Sequence, residues 1–408
     1  MRPFTARRVL LGVTGGIACY KSISVARLLA QAGAEVDVVL SRAAREFVGA
    51  ITFEAVTGRP VYTELLAAGH ALDHIRLARA ADVVAVAPAT ADFLARAAHG
   101  RADDLLTAAL LATEAPVLVA PAMNDRMWAH PQTVRNAAHL RGLGYHVVDP
   151  DDGPLAIGEG SGPGRMPEPE TIVAHVARLL ERPGALCGRR VVVTAGPTRE
   201  PVDPVRYLTN RSSGKMGVAI AAAAWRRGAH VTLIAGPLSV PFPAGVETRS
   251  VETTAEMCVA VAEALASADV LVMAAAPADF RAAEPAPRKI KKSDAPAAIA
   301  LAPTDDILAA TRQHRRPGAV VVGFALETND VLAGGRAKLE AKGLDLVVAN
   351  DATERGAGFG VDTNRVTLLS RDGGEEEVPL LPKGEVADVI LDRVEAMLEA
   401  RPAAGRAR

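Results

Sequence analysis

The sequence predicts an α/β protein with two doubly wound domains, each built on a parallel sheet. Three observations support this fold class. Near-continuous apolar segments alternate with helix-like segments at the spacing of β-α-β units, as expected for strands covered on both faces. The alternation begins twice, each time with an apolar strand that runs into glycines and a helix. The length of 408 residues, 49% of them hydrophobic, is enough for roughly two to three domains of about 150 residues each.

The first half contains strand candidates that are almost wholly apolar. The first begins at Val9 and leads into TGGIACYK, where two glycines precede a helix-like segment. Further candidates lie at residues 36–41, 82–90, 116–123 and 145–149. A helix-like segment at 171–181 then reaches ERPGALCGRR, whose proline and glycines indicate a break. We therefore predict a first domain at residues 1–182, a linker at 183–188 and a second domain at 189–408.

The second half repeats the pattern. Apolar strand candidates occupy residues 190–194, 230–236, 270–277, 319–327 and 344–351, and SSGK at 212–215 resembles the start of a helix. Residues 364–370 alternate in polarity, so we expect a half-exposed strand and a small antiparallel addition to the sheet. GEVADVILDRVEAMLEA closes the chain as an amphipathic helix.

Composition narrows the functional classes. A net charge of -1 gives no global reason to expect nucleic acid or a membrane surface as partner. No apolar run is long enough to cross a bilayer, and the first residues lead into a strand rather than a signal peptide, so we expect a cytosolic protein. Three cysteines, without a CxxC pair, predict neither a disulfide framework nor a metal knuckle.

Glycine-rich turns before helices suggest sites for anions. Free backbone N–H groups and the helix dipole favour a phosphate at the start of the helix after Gly15 and Gly16, and again near Lys215. A connecting turn is equally compatible with the first pattern, because the GxGxxG spacing is absent. APATADFL and PAMN also follow strands, at the edge where open sheets bind ligands. Together these segments favour a mononucleotide flavin over NAD.

The motifs extend this interpretation to a family. VTGGIACYK, DHIRLAR, APATAD, PAMNDRMW and GPGRM resemble the flavin mononucleotide (FMN) dependent cysteine decarboxylases over nearly all of residues 8–180. TAGPTREPVDPVRYLTNRSSGKMG, AAAPADF, RKIKK, GFALETN and LDLVVAND resemble phosphopantothenate–cysteine ligase. Fused in this order, the two halves resemble the bifunctional coenzyme A biosynthesis proteins, phosphopantothenoylcysteine decarboxylase joined to phosphopantothenate–cysteine ligase.

The resemblance implies two consecutive reactions. 4'-Phosphopantothenate is activated by CTP as an acyl-cytidylate and captured by the amine of cysteine. The product is decarboxylated to 4'-phosphopantetheine, for which FMN supplies the electron sink. The resemblance also implies Mg2+ held mainly by the triphosphate, and a homo-oligomer whose flavin and CTP sites form at subunit contacts.

Site residues of the first half follow from the same resemblance. It implies that His74 takes part in the oxidative decarboxylation and that Asn124 holds the substrate carboxylate. Asn124 could instead cap the next helix, and Ser41 and Thr90 could be ordinary N-caps. The implied flavin contacts are Thr14, Gly15, Gly16, Ser41, Pro88, Ala89 and Thr90.

One departure leaves an alternative open. The family carries a cysteine shortly before GPGRM that protonates the enethiol, but Ile157 and Gly158 occupy that place here. Either another group donates the proton, or the domain is an impaired or regulatory flavin-binding module. Cys19 is expected to be a small packing residue. A flavin prenyltransferase is disfavoured by PAMN and by the HIxL pattern at His74.

Site residues of the second half are mainly cationic and polar. The resemblance implies that Lys289 contacts the nucleotide and assists catalysis and that Asn210 holds the acyl-cytidylate. As alternatives, RKIKK could be a solvated loop and Arg206 an exposed salt bridge. In APTDDIL, Asp305 replaces a proline that is usual in the family. A Rossmann oxidoreductase is the competing interpretation, but the GxGxxG spacing typical of such enzymes is absent from this segment. The other implied nucleotide contacts are Arg206, Met273, Ala274, Ala275, Asp279, Asp305, Asp306, Ile307, Leu308, Phe324, Lys338 and Lys342.

Overall fold

The computed structural model describes residues 2–66, 69, 71–292, 298–354 and 356–401. The chain forms two compact units, residues 1–181 and 182–408. Each unit has its own sheet and its own buried core. In the described part of the chain, every helix is too short or too polar to span a bilayer.

The first unit alternates strands and helices along the chain. Its elements are β1 (Arg8–Val13), α1 (Cys19–Gln31), β2 (Glu35–Leu40), α2 (Ala50–Thr57), β3 (Val61–Tyr62), α3 (Asp73–Ala80), β4 (Val83–Ala89), α4 (Ala91–Ala98), α5 (Leu105–Ala112), β5 (Val117–Pro121), α6 (Asp125–Ala129), α7 (Pro131–Gly142), β6 (His146–Val147), β7 (Asp151–Pro154), β8 (Ser161–Arg165) and α8 (Pro169–Leu180). Six strands form a parallel sheet in the order β3-β2-β1-β4-β5-β6.

The apolar strands of this sheet separate two cores. On β1, Val9 and Leu11 belong to the core that includes α1 and α8, whereas Leu10 points to the opposite core with α5. Alternate side chains of a strand point to opposite faces, so both sets must be apolar when both faces are covered. This is why the strand reads as one continuous apolar run. Strands β7 and β8 stand apart as an antiparallel hairpin whose tip is residues 155–160.

The second unit continues the alternation with more irregular insertions. Its elements are β9 (Arg190–Ala195), β10 (Arg199–Pro201), β11 (Tyr207–Thr209), α9 (Lys215–Arg226), β12 (His230–Ala235), β13 (Glu247–Ser250), α10 (Thr254–Leu265), β14 (Val270–Met273), β15 (Phe280–Ala282), β16 (Leu301–Pro303), α11 (Ile307–Ala310), β17 (Val320–Glu327), α12 (Val331–Ala341), β18 (Leu346–Asp351), β19 (Thr363–Ser370), β20 (Glu375–Pro382) and α13 (Lys383–Ala400).

The main sheet of this unit has eight strands in the order β13-β12-β9-β14-β17-β18-β19-β20. The first six are parallel, and β19 and β20 are joined antiparallel at the edge. The predicted fold class, two α/β domains with parallel sheets, is therefore confirmed, as is the antiparallel addition at residues 364–370. The strand order reverses between β1 and β4 in the first sheet and between β9 and β14 in the second. Loops diverge at such a point and leave a crevice.

Two candidate active sites

A cleft of about 1060 Å³ opens at the carboxyl ends of β1, β2, β4 and β5. Residues contributed by the loops that follow these strands line it, including six that were predicted: Thr14, Gly15, Gly16, Ser41, Thr90 and Asn124. The lining does not include Pro88, Ala89 or His74. Ligand sites in open α/β sheets occupy this edge, so the cleft is the candidate site of the first unit.

Thr14 ties the two central loops together rather than presenting a free hydroxyl. Its Oγ1 donates to the carbonyl oxygen of Pro88 at 2.7 Å and accepts from the backbone N–H of Thr90 at 3.0 Å. Thr14 is only 2% exposed, so these bonds satisfy a hydroxyl that burial would otherwise leave unpaired. Pro88 thus contributes to the cleft through its backbone, by fixing the loop that carries Thr90.

The two glycines of the first turn have different surroundings. A Cβ on Gly15 would lie 2.3 Å from the Cβ of Ala43 and 2.6 Å from its carbonyl carbon. A Cβ on Gly16 would meet nothing closer than Thr90 Cγ2 at 3.8 Å. Gly15 is therefore required by the close approach of two loops, whereas Gly16 faces open space.

The polar residues of the cleft also cap local structure. Thr90 Oγ1 accepts from the backbone N–H of Phe93 at 3.2 Å, Asn124 Oδ1 from that of Arg126 at 2.9 Å, and Ser41 Oγ from that of Ala44 at 3.2 Å. The capping alternatives are thus realised for Thr90 and Asn124, which cap α4 and α6, whereas Ser41 closes a turn. Each of the three residues lines the cleft as well, so these hydrogen bonds fix its position there.

His74 lies at the start of α3, outside the cleft lining. Its Nδ1 is buried and has no hydrogen-bond partner among the described residues. Beside it, Asp73 pairs with Arg76 at 3.0 Å, and the Arg76 guanidinium lies 5.3 Å from the ring centroid of Tyr62. A buried imidazole nitrogen without a hydrogen-bond partner among the described residues is unusual in a folded protein.

The hairpin tip lies beside the cleft without its expected cysteine. Leu155, Ala156 and Glu159 line the cleft, whereas Ile157 is fully exposed. Cys19 is buried against β1, with its Sγ donating to the Thr14 carbonyl at 3.1 Å, and burial raises the pKa of its thiol. The expectation that Cys19 is a packing residue is confirmed.

Sequence reasoning missed much of the cleft wall. The lining also contains charged and sulfur-bearing residues that were not selected as site residues, although Asp92, Met123, Met127 and Arg165 lie within the quoted motifs: Arg42, Asp92, Arg96, Asp104, Met123, Met127 and Arg165. The sequence indicated Arg165 indirectly, since this residue belongs to GPGRM. Nothing in the sequence indicated Arg96, because its ion pairs with Asp92, Asp103 and Asp104 form only when α4 and the following loop are folded.

In the second unit, four predicted nucleotide residues surround Lys338. Its ammonium donates to the carbonyl oxygen of Phe324 at 2.6 Å. Burial lowers the pKa of Lys338, and the nearby carboxylates of Asp306, Glu327 and Asp279 oppose that shift. Lys342 pairs with Asp306 at 2.6 Å. Residues widely spaced in sequence thus form one mixed-charge cluster at the ends of β14 and β17.

Asp306 also caps the short helix α11, since its Oδ1 accepts from the Ala309 N–H at 2.9 Å. Burial raises the pKa of Asp306, but the bond from Lys342 and the capping N–H outweigh it and the pKa is lowered. Ile307 and Leu308 are 4% and 7% exposed and belong to the core. Their side chains therefore face the core, and Asp305 and Asp306 are the exposed part of this predicted segment.

Asn210 is anchored to the loop after β14. Its Nδ2 donates to the carbonyl oxygens of Ala276 at 3.2 Å and Pro277 at 2.9 Å. Upstream, Ala275 N–H donates to Thr194 Oγ1 at 3.1 Å, and Met273 is buried in β14. Asn210 and residues 273–275 therefore flank the same crevice between β9 and β14, although Met273 faces the core.

Asp203, which sequence reasoning did not select, organises the basic segment RKIKK. Its carboxylate accepts from the backbone N–H groups of Val205 and Arg206 and from that of Ile290, the last at 3.2 Å. Arg206 pairs with Asp203 at 2.8 Å and also donates to the Ile290 carbonyl at 3.1 Å. Burial raises the pKa of Asp203, but these N–H groups and Arg206 outweigh it and lower the pKa. Lys289 is exposed next to this anchor.

The start of α9 differs from the sequence expectation. Lys215 does not stand free beside the helix N-terminus, because its Nζ donates to the Gly360 carbonyl at 2.9 Å and pairs with Asp362 at 2.6 Å. The pair lowers the pKa of Asp362. The charge that was expected to attract an anion is therefore neutralised by a residue far along the chain.

The fold and these sites define a class of protein: two consecutive doubly wound α/β domains, each with a candidate ligand site at the carboxyl edge of its sheet. Comparisons with known proteins give the particular family. A family model described as "Flavoprotein" matches residues 2–181, and one described as "DNA/pantothenate metabolism flavoprotein C-terminal domain" matches residues 186–398.

Relatives match along almost the whole chain. The coenzyme A biosynthesis bifunctional protein CoaBC of Mycobacterium bovis is 49% identical over 407 residues, covering 96% of this chain and 97% of its own length. That of Bacillus subtilis is 44% identical over 398 residues, covering 96% of this chain and 97% of its own length. A crystal structure of a CoaBC C-terminal domain is 39% identical and covers 53% of this chain and 100% of that chain, with a TM-score of 0.46.

The chain therefore belongs to the CoaBC family of bifunctional coenzyme A biosynthesis proteins. It combines phosphopantothenoylcysteine decarboxylase activity, in a flavoprotein domain, with phosphopantothenate–cysteine ligase activity. The family resemblance predicted from the motifs is confirmed, and the oxidoreductase and prenyltransferase alternatives are set aside.

Proposed function

We propose that the second unit ligates 4'-phosphopantothenate to cysteine with CTP and that the first unit decarboxylates the product with FMN bound in its cleft. The observation that carries the proposal is that both halves match CoaBC proteins over nearly their full length. The two reactions form a sequence on one chain, because the ligase product is the decarboxylase substrate.

The cleft of the first unit suits a mononucleotide flavin. Its volume of about 1060 Å³ is at the upper end of ordinary ligand pockets. Gly15, Gly16 and Ser41 would hold the phosphate end, with the exposed Arg42 beside them. Thr14 and the backbone of Pro88 and Ala89 would hold the loop of Thr90 against the ring. When bound, FMN supplies the two-electron oxidation of the cysteinyl thiol that makes loss of CO2 possible.

Asn124 and His74 act on the substrate in this proposal. The Asn124 side chain, fixed by its bond to Arg126 N–H, presents its amide to the substrate carboxylate until CO2 leaves. His74 holds or moves a proton during the oxidation of the thiol, a task for which imidazole is suited near neutral pH. His74 lies outside the cleft lining of its own chain. We therefore propose a homo-oligomer in which a second copy completes the site.

Protonation of the enethiol, the last step, is the step in which an active decarboxylase differs from an impaired flavin-binding module. Ile157 stands where the family cysteine is expected, and a hydrocarbon side chain cannot donate a proton. An active enzyme must release phosphopantetheine in its reduced form, whereas an impaired one releases CO2 but stops at an oxidised product. Mass analysis of the product formed from phosphopantothenoylcysteine distinguishes these two outcomes.

In the second unit the chemistry requires cations around a triphosphate. The phosphopantothenate carboxylate attacks the α-phosphate, the bond to the bridging oxygen breaks, and pyrophosphate leaves. The cysteine amine then attacks the acyl carbon, loses a proton and displaces CMP. We propose that Lys289, Lys338 and Lys342 bind the nucleotide phosphates and that Arg206 lies beside them.

Polar and apolar neighbours complete the proposed nucleotide site. Asp279 would accept from the ribose hydroxyls, and Phe324 with the backbone of residues 273–275 would flank cytosine. Asn210 would hold the acyl-cytidylate. Mg2+ would arrive with CTP, coordinated mainly by phosphate oxygens and water, with Asp305 and Asp306 close by. These small phosphorylated substrates place the proposed activity in the cytosol and require neither a nucleic acid nor a membrane partner.

Supplying the purified chain with 4'-phosphopantothenate, cysteine, CTP and Mg2+ and following CMP, CO2 and phosphopantetheine tests the proposal. Lys289→Gln is expected to abolish CMP release while leaving CO2 release from supplied phosphopantothenoylcysteine unchanged. Asn124→Ala is expected to do the reverse. Native protein that binds no FMN after reconstitution and releases no CMP would contradict both halves.

A further inference from the structure

A second, smaller pocket in the second unit is rich in arginine. It has a volume of about 340 Å³. Four guanidinium side chains line it, together with one carboxylate: Arg312, Arg315, Arg371, Arg401 and Asp345. None of these residues belongs to a motif that pointed to the ligase reaction.

This arginine pocket lies at the opposite edge of the sheet from the proposed nucleotide site. Its wall includes Gly318, Ala319 and Val321 at the beginning of β17, and Gly343 before β18. Arg371 follows β19, which runs antiparallel to β18 and therefore ends at this same edge. Residues 274–275 and Asp279, by contrast, follow the carboxyl end of β14. The pocket therefore opens at the other edge of the sheet, and Arg315 joins its wall to the backbone of Lys342 in the proposed nucleotide site.

The positive charge of this pocket exceeds its negative charge. Asp345 is 6% exposed; its Oδ1 lies 2.7 Å from Arg401 and 3.4 Å from Arg371. Its Oδ2 is occupied by the Val321 N–H at 2.8 Å. One carboxylate thus faces four guanidinium groups, which leaves an excess of three positive charges among the lining residues.

The hydrogen bonds of Arg315 do not neutralise its positive charge. Its guanidinium donates to the carbonyl oxygens of Leu308 at 2.8 Å and of Lys342 and Gly343, both at 3.2 Å. Carbonyl groups accept these bonds but do not neutralise the charge. The Nε of Arg315 is buried without a hydrogen-bond partner among the described residues. Burial, Arg312 and Arg371 lower the pKa of Arg315, and together they outweigh the opposing charge of Asp345.

We propose that this pocket binds the phosphate group of a small phosphorylated molecule, as a second anion site distinct from the CTP site. A planar guanidinium donates two parallel bonds to phosphate oxygens, so several arginines around a small space match a multiply charged phosphate. The volume of about 340 Å³ lies at the lower end of small-molecule pockets, which suits a compact phosphorylated ligand. A bound phosphate offsets the excess charge that the lining leaves uncompensated.

Titration of the full chain with inorganic pyrophosphate, followed by calorimetry at constant ionic strength, tests this site. The Arg312→Gln/Arg371→Gln double variant removes two guanidinium groups of exposed residues. The control is Arg393→Gln, which breaks the surface pair between Arg393 on α13 and Glu376 on β20. Pyrophosphate can also enter the ligase site, so Lys289→Gln is titrated in parallel.

We expect binding that persists in Lys289→Gln and in Arg393→Gln but weakens about tenfold or more in the double variant, as loss of charge-assisted bonds requires. If the double variant folds poorly, Arg312→Gln alone weakens the same binding, with CMP release as the check that the ligase domain is intact. A double variant that binds as tightly as native protein overturns the site. Loss of all binding in Lys289→Gln overturns it as well, because the ligase site would then account for the whole titration.

Discussion

Asp203 shows how one buried carboxylate positions an exposed basic segment, RKIKK. It accepts N–H bonds from both its own turn and Ile290, which is next to Lys289. In Asp203→Asn an amide replaces one oxygen, so that an N–H group can face the N–H of Ile290 or the Arg206 guanidinium. Hydrogen bonds to charged groups contribute about 1.5–3 kcal/mol. We therefore expect kcat/KM for CTP, measured by CMP release, to fall at least about tenfold.

The control for this variant separates positioning from stability. Asp388 is also buried and pairs with Arg227 at 3.1 Å, in contact with α9 rather than with RKIKK. Asp388→Asn is expected to lower the free energy of unfolding while the KM for CTP stays unchanged. An unchanged kcat/KM for CTP in Asp203→Asn would show that the anchor does not act on Lys289.

The glycine pair of the first turn gives a second prediction at this scale. Gly15→Ala must displace Ala43, whose Cβ would be 2.3 Å from the new methyl, and overpacking of this kind costs about 1–3 kcal/mol. Gly16→Ala meets only Thr90 Cγ2 at 3.8 Å and should change the free energy of unfolding by less than about 0.5 kcal/mol. Urea unfolding followed by Trp128 fluorescence, in a Trp225→Phe background, measures both in the first unit.

At the scale of elements, a histidine pair links β6 to α8. His146 Nε2 and His175 Nδ1 are 2.7 Å apart, a distance that requires one ring to donate and the other to accept. Burial, His146 and Arg178 lower the pKa of His175 to about 4. Burial, Arg178 and Arg141 lower the pKa of His146 as well. The contact is therefore built from neutral rings.

This contact makes the first unit sensitive to acid. Above pH 6.5 neither the folded nor the unfolded state protonates His175, and the free energy of unfolding is unaffected. Between pH 6.5 and about 4 the unfolded chain binds a proton that the folded state rejects, so the free energy of unfolding falls as the pH is lowered, by about 3 kcal/mol in all. We expect His175→Gln to flatten this part of the profile, whereas exposed His139→Gln keeps it. Parallel profiles for native protein and His175→Gln would refute the assignment.

Elements differed in how far the sequence could predict them. Strands such as β1 and β4 were predictable because β4 is apolar throughout and β1 is apolar from Val9 onwards, a consequence of burial on both faces. The β7–β8 hairpin was not, since DDGP and SGPGR carry no apolar alternation. Strand β13, ETRS, is exposed at every position and gives no hydrophobic signal at all. Such strands are specified by their neighbours rather than by their own residues.

The candidate sites divide in the same way. Glycine turns and polar residues after strands are local signals, and they located the cleft that contains Thr14, Ser41 and Thr90. The cluster around Lys338 depends on contacts between separate segments, and from the sequence it was expected only through family resemblance. The Lys215–Asp362 pair spans 147 residues, and nothing near either residue indicates the other.

At the scale of the whole molecule, the two residues proposed to act on the decarboxylase substrate are not both found in the cleft of one chain. Asn124 lines the cleft and His74 does not, and His74 Nδ1 is buried without a partner among the described residues. Apolar side chains stay exposed at the cleft, with Ile17 69% and Tyr20 62% accessible. Exposed apolar surface next to a ligand site is typical of a protein contact. The arrangement fits a site shared between copies.

Mixing two inactive variants tests this arrangement. In a closed symmetric oligomer each site would take Asn124 from one chain and His74 from its neighbour. Asn124→Ala and His74→Ala chains, co-expressed in equal amounts, should then regain roughly a quarter of the native CO2 release, because half of the chains supply each intact residue. The double variant mixed with either single variant is the control and should regain none. If each chain held its own His74 and Asn124 in one site, every site of the mixture would lack one of them, and CO2 release would stay at the level of the single variants.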